Sequence, residues 1–151
     1  MRRDGRLCVA LHVLLHMSET NDAVTSESLA PAMNTNPVVF RRTMAGLRDA
    51  GIVRSVKGHG GGWSLARSLN AVTLGDVYSA LGLQQPFSIG YRDANPECGL
   101  ERAVNRVIGN ALRDAEARLV AQFRTITVAD IMADARRTTP RPLKRKSKAH
   151  A

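Results

Sequence analysis

Residues 34–66 read NTNPVVFRRTMAGLRDAGIVRSVKGHGGGWSLA, and this stretch decides the fold. Asn36 followed by Pro37 predicts a helix start, because asparagine can cap free backbone N–H groups and proline supplies a preset φ at the first helical position. The helix is expected to run to about Ala50, with Gly51 just past its end. Helical spacing predicts that its buried stripe consists of Phe40, Thr43, Met44 and Leu47.

The glycine-rich segment KGHGGGW lies between two predicted strands, IVRSVKG and WSLA. An esterase with an HGGG loop would need a separate G-x-S-x-G elbow on a later strand, but the only near match, residues 62–66, overlaps the glycines themselves. Neither a P-loop motif nor G-x-G-x-x-G is present. The remaining interpretation is a hairpin whose tip can approach another molecule closely. A small hydrolase using His59 and Ser64 stays open as an alternative.

Three helices followed by a glycine-tipped hairpin are typical of a winged helix-turn-helix. The first helix is predicted over residues 4–18, and the second follows a cap at Thr25 or Ser26, with Pro31 kinking it or delaying its start. In this fold the third helix enters the DNA major groove by its N-terminal turn. The wing tip, with its glycine N–H groups, lies along the phosphates. The side chains and backbone expected to contact DNA there belong to Lys57, His59, Gly60 and Gly61.

The basic charge is concentrated in two places. The chain carries a net charge of +9, but residues 136–151 account for +7 of it. Residues 36–67 hold six cations against Asp49 alone, a net of +5, which suits a surface that neutralises phosphates. The concentration of charge in the tail leaves open a further alternative, an RNA-associated protein that works through that tail.

The remainder of the chain divides into an irregular segment, a long helix and a tail. We predict a winged helix-turn-helix domain over residues 1–83, an irregular linker over 84–98, a dimerisation helix with a final short helix over 99–135, and a disordered basic tail over 136–151. The fold class is mainly α with one small β-hairpin. The long helix is too long for so small a body to cover, and we expect its apolar stripe to pack on a partner: Leu100, Val104, Ile108, Leu112, Ala115, Leu119 and Phe123.

The N-terminus and the cysteine content indicate a cytoplasmic protein. Arginines precede the apolar run LCVALHVLL, as in a secretory signal, but His12 and His16 interrupt the run and no cleavage site follows it. No apolar stretch is long enough to span a bilayer. Two cysteines, Cys8 and Cys98, do not make a disulfide framework.

The sequence also resembles the Rrf2 family of bacterial winged-helix regulators, which includes the iron–sulfur cluster regulator IscR and the nitric-oxide-sensing NsrR. The resemblance covers about residues 4–135 and depends on NTNPVVFRR, the glycine wing, VALHVL and the single-cysteine NPEC. It implies a homodimer that binds a palindromic operator in double-stranded DNA. It places Lys57 to Gly62 on the wing and, on the recognition helix, Asn36, Pro37, Val38, Arg41 and Arg42.

Cluster-binding members carry three closely grouped cysteines, whereas this chain offers only Cys98 in that region. The sequence therefore resembles the cluster-less branch, and no cofactor is expected. We favour an ordinary loop thiol for Cys98 and a hydrogen-bonded core histidine for His12. The alternative is a sensor in which Cys98 reacts alone or joins Cys8 and His12, spaced i and i+4, in an iron–sulfur or metal site. The leading hypothesis is a dimeric repressor, not an enzyme, with a redox- or ligand-sensitive switch.

Overall fold

The computed structural model describes residues 4–83 and 86–138. Within them the chain forms six α-helices, one hairpin and a short 3₁₀ turn at Leu69–Ala71. The first domain holds α1 (Arg6–Ser18), α2 (Ser26–Ala32), α3 (Pro37–Asp49), β1 (Val53–Val56), β2 (Gly62–Leu65) and α4 (Leu74–Ala80). The long helix α5 (Gly99–Thr125) and α6 (Val128–Thr138) follow. This order confirms the predicted fold class.

Side-chain caps fix the starts of the second and third helices. The backbone N–H of Ser28 donates to the Thr25 hydroxyl at 3.1 Å, and the N–H of Val38 donates to Asn36 Oδ1 at 2.8 Å. Pro31 does not delay α2, because the Thr25 cap sets its start and the proline lies one residue before its end. Gly51 follows α3 with φ 71°, as predicted for the residue after a helix.

The core lies between α1, α3, the base of the hairpin and the helices that follow it. Phe40, Met44 and Leu47 are fully buried there, and Thr43 is nearly so, as the helical spacing predicts. Val128, at the start of α6, is also fully buried in this cluster. The last helix therefore belongs to the core of the first domain.

Backbone hydrogen bonds show how α6 returns to that core. Leu74 N–H donates to the Ile126 carbonyl at 2.9 Å, and Val128 N–H donates to the Val72 carbonyl at 2.9 Å. The predicted unit of residues 99–135 thus contains two different helices. The N-terminal end of α5 is exposed, whereas α6 packs into the core of the first domain. Moreover, α6 continues to Thr138, three residues into the predicted tail. The rest of that tail lies outside the described residues.

The long helix α5 contributes very differently along its length. Its 27 residues extend about 40 Å. Near its C-terminal end Phe123 meets Tyr78 of α4 edge to face, with ring centroids 5.7 Å apart. Near its N-terminal end Leu100, Val104 and Val107 are 81%, 53% and 67% exposed. The predicted apolar stripe is therefore exposed at its N-terminal end and partly buried from Ile108 onward, except at Ala115. No helix in the described residues is long and apolar enough to cross a membrane.

The described part of the linker, residues 86–98, contains no helix or strand but is held against α5. Arg92 forms an ion pair with Glu101 at 3.0 Å, and the Asn105 side-chain amide donates to the Asp93 carbonyl at 2.8 Å. The Tyr91 hydroxyl lies so close to Gly109 that a side chain at that position would require the tyrosine to move. The linker ends at Cys98, the residue that precedes α5.

Candidate nucleic-acid interface

The outward face of α3 is the first part of the predicted interface. Helical periodicity places Val38, Arg42 and Ala45 opposite the buried stripe. Val38 is 62% exposed, and the side chains of Arg41 and Arg42 are also exposed, as their predicted role requires. The start of a helix carries a partial positive charge, which favours a nearby phosphate.

The cations of this region fall into two groups. The guanidinium of Arg48 pairs with Asp49 at 3.1 Å, and Arg54 Nε donates to the Ser64 hydroxyl at 2.9 Å. Within the described part of the chain, Arg41, Arg42 and Lys57 have neither an ion-pair nor a side-chain hydrogen-bond partner. These three side chains are therefore free to reach phosphates or base edges.

The wing is a short antiparallel hairpin in which Val53 pairs with Leu65 and Val56 pairs with Gly62. Gly58 and Gly60, at its tip, have φ values of 93° and 75° and nothing within 4 Å of an added Cβ. They therefore meet a conformational requirement. Lys57, His59 and Gly60 are all exposed, which agrees with their predicted place at the tip.

The other two wing glycines serve packing within the protein. A Cβ on Gly61 would collide with the carbonyl oxygens of Val56 and Gly58, and one on Gly62 would collide with the carbonyl of Val24. Gly61 also closes the turn of the hairpin, and its predicted contact with DNA stays a prediction. Two of the four glycines allow the positive φ values of the tip, and the other two allow backbone segments to approach each other closely.

The hairpin is anchored to α2 by contacts that the sequence did not predict. Trp63 exchanges two backbone hydrogen bonds with Val24, at 2.8 and 2.9 Å. The Trp63 indole N–H donates to the Ser26 hydroxyl at 3.0 Å. A buried or half-buried indole N–H generally has a hydrogen-bond acceptor. The tryptophan was therefore the one feature of the sequence that could have indicated this contact. The wing is consequently fixed relative to the helix-turn-helix.

The candidate sensor residues lie elsewhere on the molecule. Cys98 is exposed at the start of α5, and Cys8 is exposed on α1. The prediction of a core histidine at position 12 is wrong: α1 buries Ala10, Val13, Leu14 and Met17, and position 12 falls on the opposite face. His12 instead meets His16, with their Nε2 atoms 3.0 Å apart.

Known proteins provide the decisive comparison. A sequence model of the Rrf2 family, described as iron-dependent transcriptional regulators, matches residues 4–134. The chain belongs to the Rrf2 family. YwnA of Bacillus subtilis strain 168, an HTH-type transcriptional regulator, is 28% identical over 129 residues, covering 85% of this chain and 96% of YwnA.

Solved structures of regulators share the fold. T. potens IscR is 20% identical to this chain, and the match covers 93% of each of the two chains with a TM-score of 0.66. A transcriptional regulator from Lactobacillus plantarum, at 23% identity, covers 89% of this chain and 91% of its own, with a TM-score of 0.74. At these identities the likeness concerns the fold alone.

Family membership settles the general function. This chain is a DNA-binding transcriptional regulator, which confirms the prediction that it is not an enzyme. The hydrolase alternative also lacks a base, because the Ser64 hydroxyl accepts a hydrogen bond from the cationic Arg54 and, among the described residues, donates none to a histidine.

Iron, which the family description includes, does not fit the described residues of one protomer. Across residues 4–83 and 86–138 no three His, Cys, Asp or Glu side chains lie together in an arrangement that could hold a metal ion. Cys8, His12 and Cys98 are therefore not assembled into one site within a protomer. Structural metal and cluster sites generally need about four ligands.

Proposed function

We propose that this Rrf2-family protein is a homodimeric repressor that acts in the cytoplasm on a palindromic operator. In this proposal α3 of each protomer enters the major groove and the wing follows the adjacent phosphates. The observation that carries the proposal is the exposed start of α3, where Val38, Arg41 and Arg42 face solvent beside a capped, positively polarised helix end. Asn36 and Pro37 contribute by fixing that end.

The exposed half of α5 supports the homodimer. Leu100, Val104 and Val107 form an apolar strip near the N-terminal end of the helix, and exposed apolar strips of this kind favour association. A two-fold dimer uses the same surface on both subunits, so two such strips would pair. Pairing also places two recognition helices at a fixed spacing, which explains why the operator would be palindromic.

The experiment that tests this function is selection of bound fragments from the source genome. Purified protein is mixed with sheared DNA at physiological salt, and the retained fragments are sequenced. The proposal predicts that they share one inverted repeat, with half-sites about one helical turn apart or a multiple of that. Retention of fragments with no shared sequence would show non-specific binding and contradict the proposal.

The position of Cys98 supports a switch at the start of α5. Its sulfur is exposed, it immediately precedes the 27-residue helix, and no side chain caps that helix start. The linker before it is tied to α5 through Arg92 and Glu101. A chemical change at the sulfur is thus positioned to alter the direction of α5, and with it the spacing of the two recognition helices.

Three treatments test the switch: reducing buffer, peroxide or an electrophile, and anaerobic iron–sulfur reconstitution. The switch predicts a several-fold change in operator affinity of the wild type under at least one treatment, while Cys98→Ser stays constant. Equal responses of both proteins, or none, would remove Cys98 from the mechanism. Cys8→Ser is the matched control for an exposed thiol, and its response shows whether Cys8 takes part.

A further inference from the structure

Val38 is an exposed apolar side chain at the centre of the surface that is proposed to meet DNA. It is 62% exposed in the first turn of α3, and helical periodicity places it opposite the buried Leu47. Exposed single apolar residues are common. This one, however, lies near Arg41 and Arg42 of the same helix, which have no ion-pair partner among the described residues.

The backbone at Pro37 and Val38 has no free donor for a hydrogen-bond acceptor. Pro37 has no N–H group, and the N–H of Val38 already donates to Asn36 Oδ1 at 2.8 Å. The isopropyl group of Val38 is therefore what this position presents to a partner. The contact it can make is apolar.

Charge decides which partner covers this face. A second copy would bring its own Arg41 and Arg42 against these two, and like charges that face each other oppose association. DNA brings phosphates of the opposite sign. The chain also has a separate apolar strip on α5 for pairing with a copy of itself.

The major groove exposes one apolar group on its base edges, the C5-methyl group of thymine. We propose that Val38 contacts the 5-methyl group of one thymine in each half-site and so selects an A·T base pair at that position. This inference rests on the proposed function, since it requires a sequence-specific operator.

Removal of a single methyl group from the DNA tests the contact. In the selected operator each thymine is replaced, one symmetric pair at a time, by deoxyuracil, which keeps base pairing and all hydrogen-bonding groups. The wild type should lose about fourfold in affinity for each buried methyl, and so roughly fifteenfold for the pair, at one thymine position. Affinity is measured by fluorescence anisotropy at fixed salt.

Two variants assign the effect to a residue. With Val38→Ala, removal of the same methyl pair should change affinity by less than twofold, because both γ-methyl groups of the partner surface have been removed. Val39→Ala is the matched control: Val39 is 40% exposed in the same turn but lies about 100° further around the helix. It should keep the full sensitivity. Both substitutions favour the helix, so folding is retained.

Each outcome has a distinct meaning. If no operator can be selected, the proposed function fails and this inference falls with it. If an operator is found but no thymine pair shows the methyl effect, the inference alone is overturned. It is equally overturned if Val38→Ala keeps the sensitivity, or if Val39→Ala is the variant that loses it.

Discussion

At the scale of single residues, Arg41 and Arg42, which lie near Val38, are the side chains that we propose distinguish the operator from other DNA. Arg41 and Arg42 are exposed and have no ion-pair partner among the described residues, so each can reach a guanine edge or a phosphate. The two contacts differ in their consequences. A base contact fixes sequence, whereas a phosphate contact adds affinity on any sequence.

We expect Arg41→Ala and Arg42→Ala each to weaken operator binding without unfolding the protein. An arginine that reads guanine should cost roughly 1–3 kcal/mol when it is lost, and preference at one base pair should relax. The measurement is a binding isotherm on the operator and on its single-base variants, with circular dichroism as the folding check. Arg106→Ala removes the same charge from α5 and should bind nearly as the wild type does. If both α3 variants matched that control, α3 would not be the recognition helix.

At the scale of elements, the sequence predicted those features that depend on neighbouring residues. The Asn36 cap, the Pro37 start and Gly51 after the end of α3 are local, and all three are confirmed. Contacts between distant segments were not predictable: the Trp63 anchor on Ser26 joins residues 37 positions apart. The return of α6 was missed for the same reason, since Val128 looks like any apolar residue until Val72 is placed beside it.

The same distinction between local features and contacts of distant segments applies to the candidate site. Exposure of Val38, Arg41 and Arg42 followed from helical spacing and is confirmed. The separate roles of the wing glycines did not follow, because sequence shows that glycine is present and not what a side chain would touch. Only the collision of a Gly61 Cβ with the carbonyls of Val56 and Gly58 reveals its packing role.

For the wing glycines we predict that a substitution affects either DNA binding or the stability of the fold, depending on its position. Gly60→Val should weaken DNA binding, because valine is strained at the positive φ of Gly60 and the tip must change its backbone shape. The melting temperature should change little, because the exposed tip is not part of the core. Gly60→Asn should bind nearly normally, since asparagine tolerates positive φ. Gly61→Ala should lower stability by about 1–3 kcal/mol, because its Cβ meets backbone.

Thermal denaturation and operator affinity, measured on all three variants, check this separation. A Gly60→Val protein that melts far below the wild type would show that the tip supports the domain. Normal stability of Gly61→Ala would mean that the turn can reform around a side chain.

At the scale of the whole molecule, we propose that the exposed strip on α5 forms the dimer interface. Val104→Glu places a charge where the proposed dimer pairs apolar surface, and we expect it to convert dimers to monomers at micromolar concentration. Sedimentation velocity measures the change. Ile89→Glu is the control, because Ile89 is 66% exposed but lies on the linker. A Val104→Glu protein as dimeric as the wild type would place the interface elsewhere.

The central claim is that DNA sequence is read by α3 and the wing and not through the basic C-terminal residues. The chain is ended after Thr138, where α6 ends, so that the core contacts of Val128 remain intact. The measurement is the ratio of affinities for the selected operator and for a shuffled duplex of equal composition, at one salt concentration.

We expect the shortened chain to bind the shuffled duplex more weakly, because it has lost phosphate-neutralising cations, while the ratio is preserved or rises. A ratio that collapses toward one on removal of residues 139–151 would contradict the account.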